Sequence, residues 1–297
     1  MRSAPRADAA VGVVGLGLLG HAVASRLLAA GHRVVGADIV DARCDALKKL
    51  GGEPAASIAD VAAAADVVIT VLPSLAAVED VILGRGGLVD TARAGAAVVQ
   101  MSTISPALTE KLAREVTAKG LGFLDCPVSG TSGMVERGNG VIFAGGEHAL
   151  FDRWQSMLGA ILPKPVYVGC AGQAMTLKLV ANLLVALHSA AAAEALTMAR
   201  RAGLDLGLVL DVLGSGAATS RMLEVRGPLI AKGEFPAQMK LDLFMKDLHL
   251  IQDAAQAVGA RVPLTDVAER LYAAVAGDGH GGEDLAVVVR AFEGSPA

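Results

Sequence analysis

The stretch that decides the fold is Val11 to His32, VGVVGLGLLGHAVASRLLAAGH. A short apolar run comes first, and its composition predicts a buried β-strand. Three glycines follow in a G-x-G-x-x-G pattern, at Gly15, Gly17 and Gly20, and a helical pattern follows the glycines. A strand, a glycine-rich turn and a helix in this order predict a βα unit whose helix N-terminus binds the phosphates of a dinucleotide.

The three glycines have separate roles in such a turn. The first permits the tight turn, the second lets the backbone approach the pyrophosphate, and the third lets helix and strand pack closely. We therefore predict that the whole loop contacts the cofactor through Gly15, Leu16, Gly17, Leu18, Leu19 and Gly20.

An acidic residue ends the second predicted strand, RVVGAD, where dinucleotide-binding units commonly carry one. Asp38 lies 18 positions beyond Gly20. Its carboxylate is expected to accept hydrogen bonds from the adenosine ribose hydroxyls and to repel a 2′-phosphate. No arginine follows immediately, since Arg43 is five residues further on. The segment therefore favours NAD over NADP, although NADP stays open as a cofactor.

The alternation of strand and helix patterns continues to about Gly169. Such alternation is typical of a parallel sheet with helices on both faces. After Gly172 strand patterns nearly vanish, and a helix of some 30 residues is followed by further helical stretches, of which GEDLAVVVRAFEG is the last. We predict an α/β protein with an N-terminal Rossmann domain, a doubly wound sheet, over residues 1–169. An all-α domain for substrate binding and oligomerisation follows over residues 170–297, joined by the long helix.

The composition limits the class of protein. The chain has 297 residues and a net charge of −4, which gives no reason to expect nucleic acid as a partner. Its three cysteines suggest neither a disulfide framework nor a metal site and favour a cytoplasmic protein.

The start, MRSAPRADAA, lacks the apolar segment of a secretory signal and predicts an unstructured lead-in, and the tail, EGSPA, is expected to fray. The apolar stretch Leu179 to Ala193 is shorter than a membrane span, so no membrane is expected.

Five further segments carry a resemblance to a known family. In chain order they are VLPS (71–74), STISP (102–106), DCPVSGTSG (125–133), GQAMTLKLVANLL (172–184) and FMKDLHL (244–250). Together with GLGLLG they resemble the β-hydroxyacid dehydrogenases, the family of 3-hydroxyisobutyrate dehydrogenase, tartronate semialdehyde reductase and related succinic semialdehyde reductases. The resemblance implies an enzyme that transfers hydride between NAD(P) and a small 3-hydroxy acid or semialdehyde.

Lys178 matches the catalytic lysine of this family. From the residues alone, a lysine among Leu, Val and Ala on a helix is either partly buried, which lowers the pKa of its ammonium, or reaches solvent with its amine. The resemblance implies the first arrangement and a role in moving the proton of the substrate oxygen. Asn182 lies one turn further on the same helix face and is implied as a second catalytic residue, whereas Ala181 stands where the family usually has another asparagine.

The substrate loop is implied by the same resemblance. Ser129, Gly130 and Thr131 match the segment that holds the substrate carboxylate. Glycine lets backbone N–H groups turn toward an anion, and the two hydroxyls add donors. Thr131 replaces the second glycine of the commoner family pattern, which adds bulk beside the substrate and bears on which acid fits.

The remaining cofactor contacts are carried over in the same way. Leu72, Pro73 and Thr103 are implied beside the cofactor. Lys246 is implied to close the cleft over the cofactor, and Asp247 to orient its helix or that lysine.

Two other functions remain open from the sequence. An imine reductase would share the glycine loop, but such enzymes typically carry an arginine-containing NADP segment and lack the lysine, so Asp38 and Lys178 disfavour this function. A dinucleotide-binding protein without catalysis would not need the lysine, the asparagine and the anion loop. The long apolar helix has more hydrophobic surface than one domain needs, which predicts a homodimer or homotetramer.

Overall fold

A computed structural model of the chain describes residues 10–293. The chain divides into two compact units, Met1–Lys178 and Leu179–Ala297. The first is built on a sheet and the second is helical, so the predicted fold class is confirmed. Residues 1–9 of the predicted lead-in and residues 294–297 of the predicted tail lie outside the described residues.

Among the described residues, nine strands form the sheet of the first unit. They are β1 (Ala10–Val14), β2 (Val34–Ala37), β3 (Glu53–Pro54), β4 (Ala65–Thr70), β5 (Ala97–Gln100), β6 (Gly122–Asp125), β7 (Val128–Ser129), β8 (Val141–Gly146) and β9 (Val166–Gly169). Their order is β3-β2-β1-β4-β5-β6-β8-β7, and β9 pairs with β8. The pairs from β3 to β6 are all parallel, so these strands end at one edge, which we call the carboxyl edge.

Helices cover both faces of this sheet. The helices of the first unit are α1 (Leu18–Ala29), α2 (Asp41–Lys49), α3 (Ile58–Ala64), α4 (Leu75–Leu83), α5 (Leu88–Thr91), α6 (Pro106–Ala118), α7 (Ser132–Glu136) and α8 (His148–Ile161). Every residue of β1 is buried, as expected for a strand with apolar neighbours on both sides. Two apolar cores result: one contains Val13 and Leu27, and the other contains Val14 and Ile82.

The sheet departs from the predicted parallel pattern beyond β6. There β8 runs antiparallel to β6, and β7 runs antiparallel to β8. The physical reason is the connection: α7 has only five residues. Residues 126–140, between β6 and β8, form the short strand β7 and this short helix, instead of the one long crossover helix that commonly joins parallel neighbours.

The second unit contains helices and short helical turns. Its elements are α10 (Leu206–Gly214), α11 (Arg221–Lys232), α12 (Leu241–Ala257), α13 (Pro263–Val275), a π-type turn (Ala276–His280), a 3-10 helix (Leu285–Val289) and α14 (Arg290–Glu293). Within the predicted helical stretch GEDLAVVVRAFEG, residues 285–293 thus form a 3-10 helix followed by one turn of α-helix. Asp284 caps this segment by accepting the N–H of Ala286, and all five residues of the 3-10 helix are buried.

The predicted long helix is α9 (Gln173–Arg201), with 29 residues. It begins in the first unit and continues into the second. By length and composition it is the one helix in residues 10–293 that could cross a membrane, and 44% of its most apolar window is buried. This is weak evidence for a membrane span, because a core helix of the same length passes the same test.

Candidate active site

The glycine loop, residues 15–20, comprises the turn after β1 and the first residues of α1 at the carboxyl edge. Gly15 has a φ of +93°, a left-handed conformation that glycine adopts without strain, and a Cβ there would collide with the carbonyl of Val71. A Cβ at Gly20 would collide with the carbonyl oxygen of Gly15. The first and third glycines are therefore required by the packing of the loop itself.

The second glycine is not required by packing. Gly17 has a φ of −63°, and a Cβ built there would meet no atom of the described chain within 4 Å. Gly17 is also the N-cap of α1, and no side chain at this position caps the N-terminal end of the helix. The first N–H groups of α1, together with the open space beside Gly17, fit a bound phosphate group. The residues present at this loop therefore fit the pyrophosphate of a dinucleotide.

Asp38 follows β2 and holds the glycine loop. Its Oδ2 accepts the backbone N–H of Leu16 at 2.7 Å, and its Oδ1 accepts the N–H of Val40 at 2.9 Å. The guanidinium of Arg43 lies against the same carboxylate, with Nη1 3.2 Å from Oδ1 and 3.3 Å from Oδ2. The structure thus places Asp38 against the glycine loop and Arg43 against Asp38. The spacing in the sequence did not indicate the contact between Arg43 and Asp38.

A serine hydroxyl links the loops that follow β4 and β5. Ser102 Oγ accepts the N–H of Leu72 at 2.8 Å. The side-chain amide of Gln100 binds both backbone groups of Ser102. Its Nε2 donates to the Ser102 carbonyl at 2.8 Å, and its Oε1 accepts the Ser102 N–H. Pro73 directly follows Leu72, and Thr103 directly follows Ser102. Sequence reasoning missed Gln100, and a polar residue at the end of an apolar strand was the available signal.

The predicted substrate loop lies between β7 and α7. Ser129 ends β7, Gly130 has a φ of +154°, and Thr131 is the N-cap of α7. Thr131 Oγ1 accepts the N–H of Met134 at 3.3 Å, so this hydroxyl supports the local backbone. All three residues are partly exposed, so a ligand can reach them.

Asp125 ends β6 and ties the start of α9 to the carboxyl edge. Its Oδ2 accepts the N–H of Gly172 at 3.0 Å and the N–H of Met175 at 2.9 Å. The side chain is fully buried, and its Oδ1 has no hydrogen-bond partner among residues 10–293. Burial raises the pKa of the Asp125 carboxyl to about 7, and the two backbone hydrogen bonds oppose this increase. No pattern in the sequence indicated this role for Asp125.

Lys178 lies in α9 one turn beyond the residues that Asp125 holds. Its side chain is buried, with 7% of the residue exposed. Asn182, one turn further along the helix, is 4% exposed. Of the two arrangements that the sequence left open for Lys178, the structure has the buried one.

Asn182 also belongs to a set of contacts in the second unit. Its Nδ2 donates to Asp247 Oδ2 at 2.8 Å, and Lys246 Nζ lies 3.0 Å from Asp247 Oδ1. A carboxylate can only accept, so the amide nitrogen of Asn182 faces Asp247 and its carbonyl oxygen faces the other way. Asp247 therefore orients Asn182 in addition to pairing with Lys246.

Residues 10–293 contain no group of three or more His, Cys, Asp or Glu side chains placed to hold a metal ion.

Asp125 gives a pH-dependent prediction. Because its pKa is raised from 3.8 to about 7, the folded protein keeps a proton on this carboxyl between about pH 4 and pH 7, where the unfolded chain has lost it. The contribution of Asp125 to stability is therefore greatest below pH 4 and falls as the pH rises to 7. Asp125→Asn keeps an oxygen that accepts from Gly172 and Met175 but does not ionise. We expect the free energy of unfolding of this variant, relative to wild type, to rise by on the order of 3 kcal/mol between pH 4 and pH 8.

Urea denaturation of both proteins at the two pH values measures this difference. Asp45→Asn is the matched control, because Asp45 is an exposed acid on α2. The control should show no comparable change between the two pH values. A difference between Asp125→Asn and wild type that does not vary with pH would contradict the prediction.

Comparison with known proteins follows the two parts of the chain. Residues 10–169 match the NAD binding domain of 6-phosphogluconate dehydrogenase, and residues 172–292 match the family described as NAD-binding of NADP-dependent 3-hydroxyisobutyrate dehydrogenase. The chain is 33% identical to the L-threonate dehydrogenase of Cupriavidus necator over 96% of each protein. It is also 33% identical to the 2-hydroxy-3-oxopropionate reductase of Escherichia coli, over 95% of this chain and 97% of the relative.

Solved structures agree with these matches. A 3-hydroxyisobutyrate dehydrogenase from Salmonella typhimurium has a TM-score of 0.87 and 33% identity, with coverage of 95% of this chain and 99% of that one. An imine reductase from Myxococcus stipitatus has a TM-score of 0.63 and 17% identity, which shows a shared fold alone. The imine reductase alternative is therefore less well supported. With its dinucleotide loop and both matched parts, the chain belongs to the β-hydroxyacid dehydrogenases, the family of 3-hydroxyisobutyrate dehydrogenase and of NAD(P)-dependent oxidoreductases.

Proposed function

We propose that this protein interconverts a small β-hydroxy acid and the corresponding semialdehyde, with Lys178 moving the proton. The observation that carries the proposal is the position of Lys178: its side chain is buried on the helix whose first turn Asp125 ties to the carboxyl edge. That edge also carries the glycine loop. We assign cofactor binding to residues 1–169 and substrate binding and oligomerisation to residues 170–297.

Different residues are assigned to different parts of the cofactor. The glycine loop and the N-terminus of α1 would hold the pyrophosphate, Asp38 the adenosine side, and Leu72, Pro73 and Thr103 the loops beside the cofactor. Lys246 is assigned as a further cofactor contact. When bound, NAD(P) accepts hydride from the carbinol carbon in oxidation and returns it in reduction.

Lys178 handles the proton that accompanies the hydride. In oxidation its neutral amine takes the proton of the substrate hydroxyl as the C–H bond breaks, which leaves a carbonyl and an ammonium. In reduction the ammonium gives this proton to the carbonyl oxygen. Because Lys178 is buried, bulk water does not compete with the substrate oxygen for this proton.

Asn182 assists through its carbonyl oxygen. Its amide nitrogen donates to Asp247 at 2.8 Å. Its oxygen is then the atom available to accept from a substrate hydroxyl or from the lysine ammonium. The amide nitrogen carries a second N–H, which can donate to a substrate oxygen. The substrate carboxylate is assigned to Ser129, Gly130 and Thr131.

The substrate class follows from the relatives. Their names specify L-threonate, 2-hydroxy-3-oxopropionate and 3-hydroxyisobutyrate, all of which carry a carboxylate. The test is a panel of these acids and semialdehydes, each with both NAD and NADP, followed by the absorbance of the reduced nicotinamide. We expect turnover with at least one free acid and none with its methyl ester, because the ester lacks the charge that the Ser129 loop would hold. No turnover with any compound would favour a dinucleotide-binding protein without catalysis.

The second unit presents apolar side chains that suit contact with a second copy of the chain. Val180, Leu184 and Met198 on α9 are 51%, 47% and 76% exposed, and Leu208 and Val212 on α10 are both 62% exposed. The apolar helix α10 buries no residue at all. We assign this surface to a homodimer or homotetramer of a cytoplasmic enzyme, rather than to a membrane. Light scattering at micromolar concentration should show an oligomer, and a monomer would contradict the assignment.

A further inference from the structure

The acidic residue that marks a ribose-binding position in the sequence is almost enclosed in the structure. The Asp38 side chain is only 4% exposed. Each of its carboxylate oxygens accepts one backbone N–H, from Leu16 in the glycine loop and from Val40 beyond β2. Asp38 is therefore first of all a support for the glycine loop.

Arg43 donates to the remaining lone pairs of the Asp38 carboxylate. Its Nη1 lies within 3.3 Å of both oxygens, so each oxygen has two donors. A carboxylate accepts about four hydrogen bonds in all. With Arg43 in this position, Asp38 has no further lone pair to offer a ribose hydroxyl.

The charge presented at this position is also changed by the ion pair. The Arg43 side chain is 48% exposed, whereas that of Asp38 is 4% exposed. An incoming ligand therefore meets a guanidinium before it meets the carboxylate. The guanidinium has five N–H donors in a planar fork that matches a phosphate, and the contacts to Asp38 use only Nη1. The repulsion of a 2′-phosphate expected from Asp38 alone is offset.

We propose that Arg43 is a specificity-determining residue that binds the adenosine 2′-phosphate, so that the protein uses NADP as well as NAD. Arg43 leaves Asp38 to bind the 2′-phosphate of NADP, and with NAD it moves aside so that a freed Asp38 oxygen accepts from the ribose hydroxyl. Asp38 keeps its hydrogen bond to Leu16 in both cases. The inference deepens the proposed function and rests on it only in requiring a dinucleotide at the glycine loop.

Titration calorimetry with AMP and with adenosine 2′,5′-bisphosphate tests Arg43 without catalysis. We expect wild type to bind both, and Arg43→Ala to bind the bisphosphate at least tenfold more weakly while its affinity for AMP stays unchanged or rises. Arg43→Lys should recover part of the loss, since a lysine keeps the charge without the fork. NAD and NADP should follow the same pattern.

Arg33→Ala is the matched control, because Arg33 pairs with Glu53 at the opposite end of β2. It should bind all four ligands as wild type does. Equal losses for AMP and the bisphosphate in Arg43→Ala, or no loss, would overturn the role of Arg43 and leave the dinucleotide site intact. Failure of wild type to bind any of the four would overturn the dinucleotide site and, with it, this role.

Discussion

Replacing Lys178 with alanine is expected to lower turnover by about 10²–10⁴-fold, while the affinities for NAD and NADP stay within about twofold of wild type. The loss follows from removal of the proton carrier: hydride transfer without it leaves an alkoxide in reduction or demands an unassisted hydroxyl in oxidation. Cofactor affinity is kept because the glycine loop and Asp38 do not involve Lys178. Steady-state kinetics and calorimetry measure the two quantities.

Two further measurements distinguish proton transfer from a structural role for Lys178. The substitution Lys178→Arg keeps the positive charge, but a guanidinium cannot give up its proton near neutral pH, so this variant should be nearly as slow as Lys178→Ala. Added methylamine or ethylamine should restore part of the turnover of Lys178→Ala, because a free amine can enter the vacated volume.

The matched control is Lys111→Ala. Lys111 lies on α6, with a 49% exposed side chain, and pairs with Glu79. It should retain wild-type turnover. Near-normal turnover of Lys178→Ala, or a loss that no amine restores and that accompanies weaker cofactor binding, would remove Lys178 from the chemistry.

The second large effect separates two glycines of one loop. Gly20→Ala should reduce the free energy of unfolding by about 3 kcal/mol, because its Cβ collides with the backbone carbonyl of Gly15. Gly17→Ala should reduce it by less than about 1 kcal/mol, because its Cβ meets no atom within 4 Å and the backbone angle is ordinary. The methyl group added at position 17 would occupy the space of the pyrophosphate. We therefore expect Gly17→Ala to weaken the binding of NAD and of NADP by at least about 100-fold.

Urea denaturation and titration calorimetry measure the two effects on the same preparations. Gly159→Ala in α8 is the control, since Gly159 also has nothing within 4 Å of its Cβ but lies within a helix. It should stabilise the protein slightly and leave cofactor binding unchanged. Wild-type affinity in Gly17→Ala would show that the dinucleotide does not approach the loop at Gly17.

Much of the fold could be predicted because its elements have local causes. The buried strand before Gly15 and the helix after Gly20 follow from apolar periodicity, and α9 follows from a long run without strand patterns. The reversal of direction at β8 could not be predicted in the same way. Residues 126–140, between β6 and β8, form β7 and the five-residue α7 instead of one crossover helix, and the sequence marks such short elements only weakly.

The site residues show the same difference. The glycine loop, Asp38 and Lys178 were predicted, because a spacing or a family motif marks each of them. Gln100 and Asp125 were not given roles, since their importance lies in the backbone groups that they hold: Ser102 for Gln100, and the start of α9 for Asp125. Those groups are distant from Asp125 along the chain and become neighbours only after folding.

By itself, the sequence determined the order of strands and helices, the loop that needs glycine, and the residue types available for proton transfer and anion binding. These follow from backbone sterics and side-chain chemistry, which act over a few residues. Only the tertiary structure decided which partners these side chains have: that Asp38 supports Leu16 and pairs with Arg43, that Asp247 orients Asn182, and that Lys178 is buried. The physical reason is that hydrogen-bond partners and desolvation are properties of the packed chain, set by which elements meet rather than by local spacing.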